Sequence, residues 1–426
     1  MIGAALPLSL LLATAAAPQP HVRATVPAAA HADAVALTFD EALARAERLP
    51  AAAAARAGLA ERRSFDEAIS GLGNPVVSVS AGGRTLPGET VFTGELTAIQ
   101  PIPLSARGSA ARDAAAAERA AVEAEVRGML LAARTEAADA WCALRGAEGA
   151  LEAAAGEERL ADDLVARAER AAAAEVVTAA ELADLHAWRA EVRLARIQLE
   201  ADVHERGVAL GRALRAPQAV HVRAAGELPE VALPDPAARE SLLDAAGALP
   251  PAALPAARLR ATRAELREQA ADATPWLGVG ASVVQDQPGE RAYFGVLSFE
   301  LPIFRRGQRE RARLVTEVAR GEADVSEARS AAAQLASEAL HDVERTADAL
   351  AVLEGTLLPR ARDAARLHQL ALESREGTAV EFLAARRTLL QAEARARLAA
   401  AEHAAARYRL ALLLAAVASD GAGVTP

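Results

Sequence analysis

Gly295-Val-Leu-Ser-Phe-Glu-Leu-Pro-Ile-Phe-Arg-Arg-Gly-Gln-Arg-Glu-Arg-Ala312 changes its period within a few residues, from an alternating strand into Pro302 and then a charged helix. Proline has a fixed φ and no N–H to donate, so Pro302 is expected to end a strand ladder and to suit the first turn that follows. Before it, Tyr293, Gly295, Leu297, Phe299 and Leu301 point one way and Phe294, Val296, Ser298 and Glu300 the other. A related junction lies earlier, Thr97-Ala-Ile-Gln-Pro-Ile-Pro-Leu-Ser-Ala-Arg-Gly108. Placing Pro103 on Pro302 also places Gly108 on Gly307, so the chain reads as a tandem repeat of one large unit.

Working outward from these junctions gives the same order twice. Val77, Val79 and Ala81 alternate with Ser78 and Ser80, and Phe92, Gly94, Leu96 and Ala98 alternate with Thr93, Glu95 and Thr97. The glycines and proline between them, from Gly82-Gly83 to Pro87-Gly88, predict a turn-rich loop. In the second unit Leu277, Val279, Ala281 and Val283 alternate with Gly278, Gly280 and Ser282, and Gln287-Pro-Gly-Glu290 turns the chain. Each hairpin has strands of about ten residues, the length that spans a bilayer when tilted.

Helices flank both hairpins. Thr38 with Glu41 three residues on has the spacing of a capping box and starts a helix of about 35 residues that runs to Gly71-Leu-Gly-Asn-Pro75. From Leu104 a helical pattern of about 70 residues reaches a turn around Val176-Val177-Thr178, whose β-branched residues are poor for helix. A returning helix ends near Arg215-Ala-Pro217. In the second unit the helix before the hairpin is irregular where Pro250, Pro251 and Pro255 interrupt it, and the long helix ends at Ser374-Arg-Glu-Gly377. The last helix carries Phe382, Ala385, Leu389, Ala392, Ala396, Ala399, His403, Ala406, Leu410 and Leu413 at the 3/4 spacing of a close coiled-coil seam. His403 is read as a half-exposed seam position and not as a metal ligand, because no second ligand stands beside it.

Seventy helical residues at roughly 1.5 Å each make a rod of about 105 Å, and the returning helix is about half that. Two short helices laid end to end beside one long helix therefore account for each repeat. The organisation expected is a signal-like apolar segment at 1–17, a leader at 18–36, a first repeat at 37–217 with its hairpin at 75–102, a linker at 218–236, a second repeat at 237–416 with its hairpin at 276–301, and a tail at 417–426. The signal segment has an apolar run and an Ala-x-Ala ending but no basic residues before it.

Composition narrows the function. Aromatic residues are 3% of the chain, which suits long helices packed through small side chains rather than bulky globular cores. The net charge is -10 and no stretch concentrates unopposed positive charge, which argues against nucleic acid. The single cysteine, Cys142, excludes an internal disulfide and reads as a small buried hydrophobe. Glu, Asp and His are scattered on helical faces with no phosphate loop, no paired metal ligands and no nucleophile elbow, so neither an enzyme nor a cofactor site is expected. Four membrane-length strands cannot close a barrel, and lipid does not tolerate open sheet edges, so the strands imply partners.

Helix, hairpin, long helix and short helix, twice over with a Pro-Ile-Phe-x-x-Gly junction, resembles the TolC family of outer-membrane efflux proteins. Leu37-Thr-Phe-Asp-Glu-Ala-Leu43 is similar to that family's start, Phe294 to Phe304 to its second strand junction, and Glu381-Phe-Leu-Ala-Ala-Arg-Arg-Thr-Leu389 to its final helix. Gln308-Arg-Glu-Arg-Ala-Arg313 and Ala174-Glu-Val176 resemble its CzcC-like heavy-metal branch. The resemblance implies a mainly α fold with two β-hairpins, assembled as a homotrimer whose twelve-stranded outer-membrane β-barrel continues into a periplasmic α-helical coiled-coil barrel. It implies an outer-membrane conduit of a tripartite efflux or type I secretion system, set in outer-membrane lipid and extending into the periplasm. An inner-membrane RND or ABC pump and a periplasmic adaptor (membrane fusion) protein would supply its cargo. The alternative reading is a non-channel coiled-coil scaffold of the cell envelope.

The resemblance also implies an entrance gate at the two helix turns. Its candidates are Glu175, Thr178 and Glu181 in the first turn and Arg375, Glu376, Thr378 and Glu381 in the second, with Arg375 expected to bond across to Glu175 or Glu181. The ordinary alternative is that these are solvated turn charges.

Overall fold

The computed structural model describes residues 35–67, 73–104, 107–174, 177–216, 221–232, 235–272, 274–287, 289–300, 304, 307–374 and 376–421. The first unit runs β1 (Val35–Leu37), α1 (Phe39–Glu47), α2 (Pro50–Glu67), β2 (Val76–Leu86), β3 (Glu89–Pro103), α3 (Arg107–Ala173) and α4 (Ala179–Ala213). After β4 (Val222–Ala224) the second unit runs α5 (Pro236–Asp244), α6 (Pro250–Asp272), β5 (Trp276–Gln287), β6 (Glu290–Glu300), α7 (Gln308–Val352), α8 (Leu358–Glu373) and α9 (Ala379–Gly421). A π-helical turn at Leu353–Leu357 joins α7 to α8, so the second long helix is continuous in path.

At 67 residues α3 is about 100 Å long. α1 and α2 pack along its first part, where Glu47 takes Arg134 at 2.8 Å and Arg63 meets Glu123 at 3.0 Å. α4 covers the rest, where Arg196 meets Glu158 at 2.5 Å. α6 and α9 share the length of the α7–α8 rod in the same way. α9 buries Phe382, Ala385, Leu389, Ala392, Ala396, Ala406, Leu410 and Leu413, with Ala399 and His403 half-buried in the same seam.

The structure departs from the sequence reading at several breakers. The first helix is two helices, because Pro50 has no N–H to continue α1 and instead opens α2. Gly82 and Gly83 are not in a loop: they pair with Thr93 and Phe92, and the strands meet only at the Pro87-Gly88 turn, where Gly88 has φ 97°. Pro103 is the last residue of β3, paired with Trp276 at the start of β5, so the first ladder ends at its proline. Pro101 and Pro103 lie beyond the last β2–β3 pair, Val76 with Ile99, where β3 is flanked on one side only. Gly108 and Gly307 are not equivalent. Gly108 is already inside α3, whereas Gly307 caps α7 from the left-handed region at φ 64°, which a side chain would strain. Pro302 lies outside the described residues; β6 ends two residues before it.

A parallel pair that the sequence reading did not anticipate joins the end of the leader to the linker. β1 and β4 pair over Val35 with Val222 to Leu37 with Ala224. The pair covers a core of Leu37, Trp141, Cys142, Leu144, Leu210 and Val222 at the middle of the rod. Trp141 is fully buried and donates its indole N–H to the Leu37 carbonyl at 2.8 Å, while Phe39 lies edge-on between Trp141 and Tyr408. Burial pushes the Cys142 thiol up to about 12, in keeping with its place as a core residue.

Candidate functional site

The sheet order is β2-β3-β5-β6, antiparallel throughout, with the two hairpins joined by β3 against β5. Register decides which residues share a face. Val77, Val79 and Ala81 stand opposite Ala98, Leu96 and Gly94; Leu96 and Ala98 stand opposite Val283 and Ala281; and Val283, Val279 and Leu277 stand opposite Tyr293, Leu297 and Phe299. All four strands therefore put apolar residues on one face, while Val76, Val91, Ile99, Phe294 and Val296 lie on the other. The first face is uncovered: Val79 is 74% exposed, Tyr293 72% and Leu297 67%. Four strands of large exposed apolar side chains are far more than a water-facing sheet carries, and they match the lipid face of a membrane strand.

The opposite face carries Ser78, Ser80, Thr93, Glu95, Thr97, Ser282 and Ser298 among smaller and apolar neighbours. Glu95 accepts hydrogen bonds from the Thr97 and Ser282 hydroxyls, each at 2.8 Å, which ties the first hairpin to the second. β2 and β6 leave their outer edges unpaired among the described residues. Among those residues no helix is long and apolar enough to cross a membrane.

At the far end of the rods the two turns are built alike. Thr178 caps α4: its backbone N–H donates to Glu181 Oε2 at 2.9 Å, and the Glu181 N–H donates back to its hydroxyl at 3.2 Å. Thr378 and Glu381 repeat the exchange at 3.1 and 3.3 Å. The structure thus brings together Thr178 with Glu181 and Thr378 with Glu381, each pair within its own helix. Exposed Glu376 closes α8 with its backbone N–H on the Ala371 carbonyl at 2.9 Å. Glu175 and Arg375, and with them the expected Arg375 bond, lie outside the described residues. No capping role is assigned to Glu181 and Glu381 from the sequence, although the Thr-x-x-Glu spacing that predicts the Thr38 cap is present at both.

These boxes are acid-sensitive. The Thr178 and Thr378 backbone N–H groups, followed by their hydroxyls, hold Glu181 and Glu381 below the ordinary carboxylate range, and His368 adds a smaller pull on Glu381. Each folded value lies below the unfolded one, so the capping contribution is complete above about pH 4.5 and is lost as the pH falls through the folded value. Acidification from about pH 6 to about pH 3 is expected to speed amide exchange at the first turns of α4 and α9, beyond the intrinsic change, while mid-helix amides stay protected. Unchanged relative protection would show that the carboxylates do not cap in solution.

Just behind the turns the repeats are joined by contacts that sequence reading did not find. Trp188 of α4 meets Phe382 of α9 edge-on at 6.5 Å, inside a cluster with Ala161, Val192 and Leu383. Arg386 of α9 pairs with buried Glu157 of α3 side-on, its Nε donating to Oε1 at 2.9 Å and its Nη2 to Oε2. Nearby, Arg387 meets Glu191 of α4 at 2.7 Å. Among the described residues no three His, Cys, Asp or Glu side chains stand close enough to hold a metal ion. His403 lies 2.9 Å from the Thr346 hydroxyl, and burial, with Arg407 beside it, lowers its pKa.

The sequence matches no family model and no curated protein. Solved structures do match. The outer-membrane channel OprN is 19% identical with a TM-score of 0.68, covering 88% of this chain and 89% of that one. The outer-membrane protein VceC of Vibrio cholerae is 18% identical with a TM-score of 0.63, covering 88% and 95%. The open state of the Neisseria gonorrhoeae MtrE outer-membrane channel is 17% identical with a TM-score of 0.64, covering 88% of each chain. With two hairpins forming one amphipathic sheet and two long-and-short helix sets behind it, this chain has the TolC-like fold of outer-membrane channels.

Proposed function

We propose that the chain is the outer-membrane channel of a tripartite efflux or type I secretion system, exporting its cargo passively. The observation that carries this reading is the sheet: one continuous apolar face left uncovered, a second face that carries the serines, threonines and Glu95, and two edges unpaired among the described residues. Two free edges per chain are satisfied when three copies close a twelve-stranded barrel with the apolar face on lipid and the polar face on water. A coiled-coil scaffold would instead bury that apolar face on its helices. In this reading residues 1–17 act as the export signal, the rods form a periplasmic tunnel, and the turns around Thr178 and Thr378, with Glu175, Glu181, Arg375, Glu376 and Glu381, form its entrance. Transport energy comes from an inner-membrane pump reached through a periplasmic adaptor, and the channel itself catalyses nothing.

The full chain, expressed in a cell with an outer membrane, is expected to fractionate with that membrane and to give a native mass of three copies. A soluble monomer would overturn the proposal.

A further inference from the structure

We propose that Glu95 fixes the charge preference of the barrel, forming a ring of three carboxylates that favours cations over anions. The inference rests on the trimeric-channel reading above. Glu95 lies on the polar face of β3, is exposed, and is held by the Thr97 and Ser282 hydroxyls, so its charge sits at a set height on the wall. Thr97 and Ser282 are themselves buried and bonded to each other at 3.0 Å, which makes the mount rigid. Ser80 stands directly opposite Glu95 in register. Arg84, on the same face, is four residues further toward the Pro87-Gly88 turn, about 13 Å along the strand.

Geometry says how far such a ring reaches. Twelve strands spaced about 4.8 Å apart and tilted about 40° close into a wall about 12 Å in radius, which puts the three carboxylates about 10 Å from the axis. The screening length is about 10 Å at 0.1 M salt and about 3 Å at 1 M. Three unit charges at that distance enrich cations over anions on the axis about fivefold at 0.1 M and scarcely at all at 1 M. Arg84 is more than one screening length away at the lower concentration and does not cancel the ring.

The test is the reversal potential of the purified full-length trimer in planar bilayers under a potassium chloride gradient, at about 0.1 M and again at about 1 M. At the lower salt the potassium-to-chloride permeability ratio of the unaltered channel is expected to exceed that of Glu95→Gln by about two- to fivefold, and the two should converge at the higher salt. Glutamine keeps an acceptor oxygen for both hydroxyls. Ser80→Lys, which places a positive charge opposite Glu95 and leaves its hydrogen bonds in place, is expected to cause the same loss by an independent route. Trimeric channels of either variant with an unchanged ratio at the lower salt would overturn this inference alone. Failure of the unaltered chain to form any trimeric channel would overturn the functional reading, and the ring with it.

Discussion

Replacing Arg386 with leucine is expected to destabilise the protein by about 3–5 kcal/mol, because it leaves the Glu157 carboxylate buried without its partner. Glu157 is 7% exposed and Arg386 17%, so water replaces little of what the guanidinium supplies. The neighbouring pairs do not share this character. Arg387 and Glu191 are 46% and 55% exposed, and such a pair contributes about 0–1 kcal/mol. Arg387→Leu is therefore the control, expected to shift the urea midpoint of helical circular dichroism only slightly. Removing both charges, as Glu157→Leu with Arg386→Leu, should recover most of the lost stability, since the cost lies in the orphaned charge. A single Arg386→Leu variant as stable as the Arg387→Leu control would show that water reaches Glu157 and replaces its partner. This pair and the Trp188–Phe382 contact hold the two repeats together just behind the turns around Thr178 and Thr378, which is where the proposed entrance lies.

The pair also shows what a sequence conceals. Glu157 and Arg386 are 229 residues apart in a chain crowded with Glu and Arg, and nothing local distinguishes them from solvated neighbours. Their partnership is a product of α3 lying on α9. The same limit hid β1 and β4, three residues each, too short to show any period. What was legible had a period and a length. The alternation of four strands was readable because apolar residues recur at every second position, and the register then aligns these sets on one face. The α9 seam was readable because its burial repeats every three or four residues over many turns. Breakers misled where partners overrode them: Gly82 and Gly83 are poor strand residues, yet each is held by a long, well-formed partner strand. At the two helix turns spacing is a better guide than charge. Glu181 and Glu381 are committed to the Thr178 and Thr378 caps, whatever further part the turns play.

The largest expected effect belongs to Gly280, where a valine should abolish the proposed trimer. Gly280 pairs with Ile99 at the seam between the two hairpins. A Cβ added there would stand 2.1 Å from the Ala98 carbonyl oxygen and 2.9 Å from the Ile99 Cα. Both are backbone atoms, so no rotamer change relieves the clash, and β3 must move away from β5. Ordinary overpacking costs about 1–3 kcal/mol because side chains give way; here the ladder itself must open, so the cost should exceed that range. Opening it also separates Thr97 and Glu95 from Ser282 and splits the sheet into two isolated hairpins, neither stable alone. Gly280→Ala should fail nearly as badly, since the Cβ alone makes the contact. Gly295→Ala is the matched control: it lies in β6, and nothing stands within 4 Å of its added Cβ. The readout is the fraction of membrane-extracted protein running as a heat-resistant trimer, expected to be near zero for Gly280→Val and unaltered for Gly295→Ala. A stable Gly280→Val trimer would mean that β3 and β5 are further apart in the assembled barrel than in the single chain.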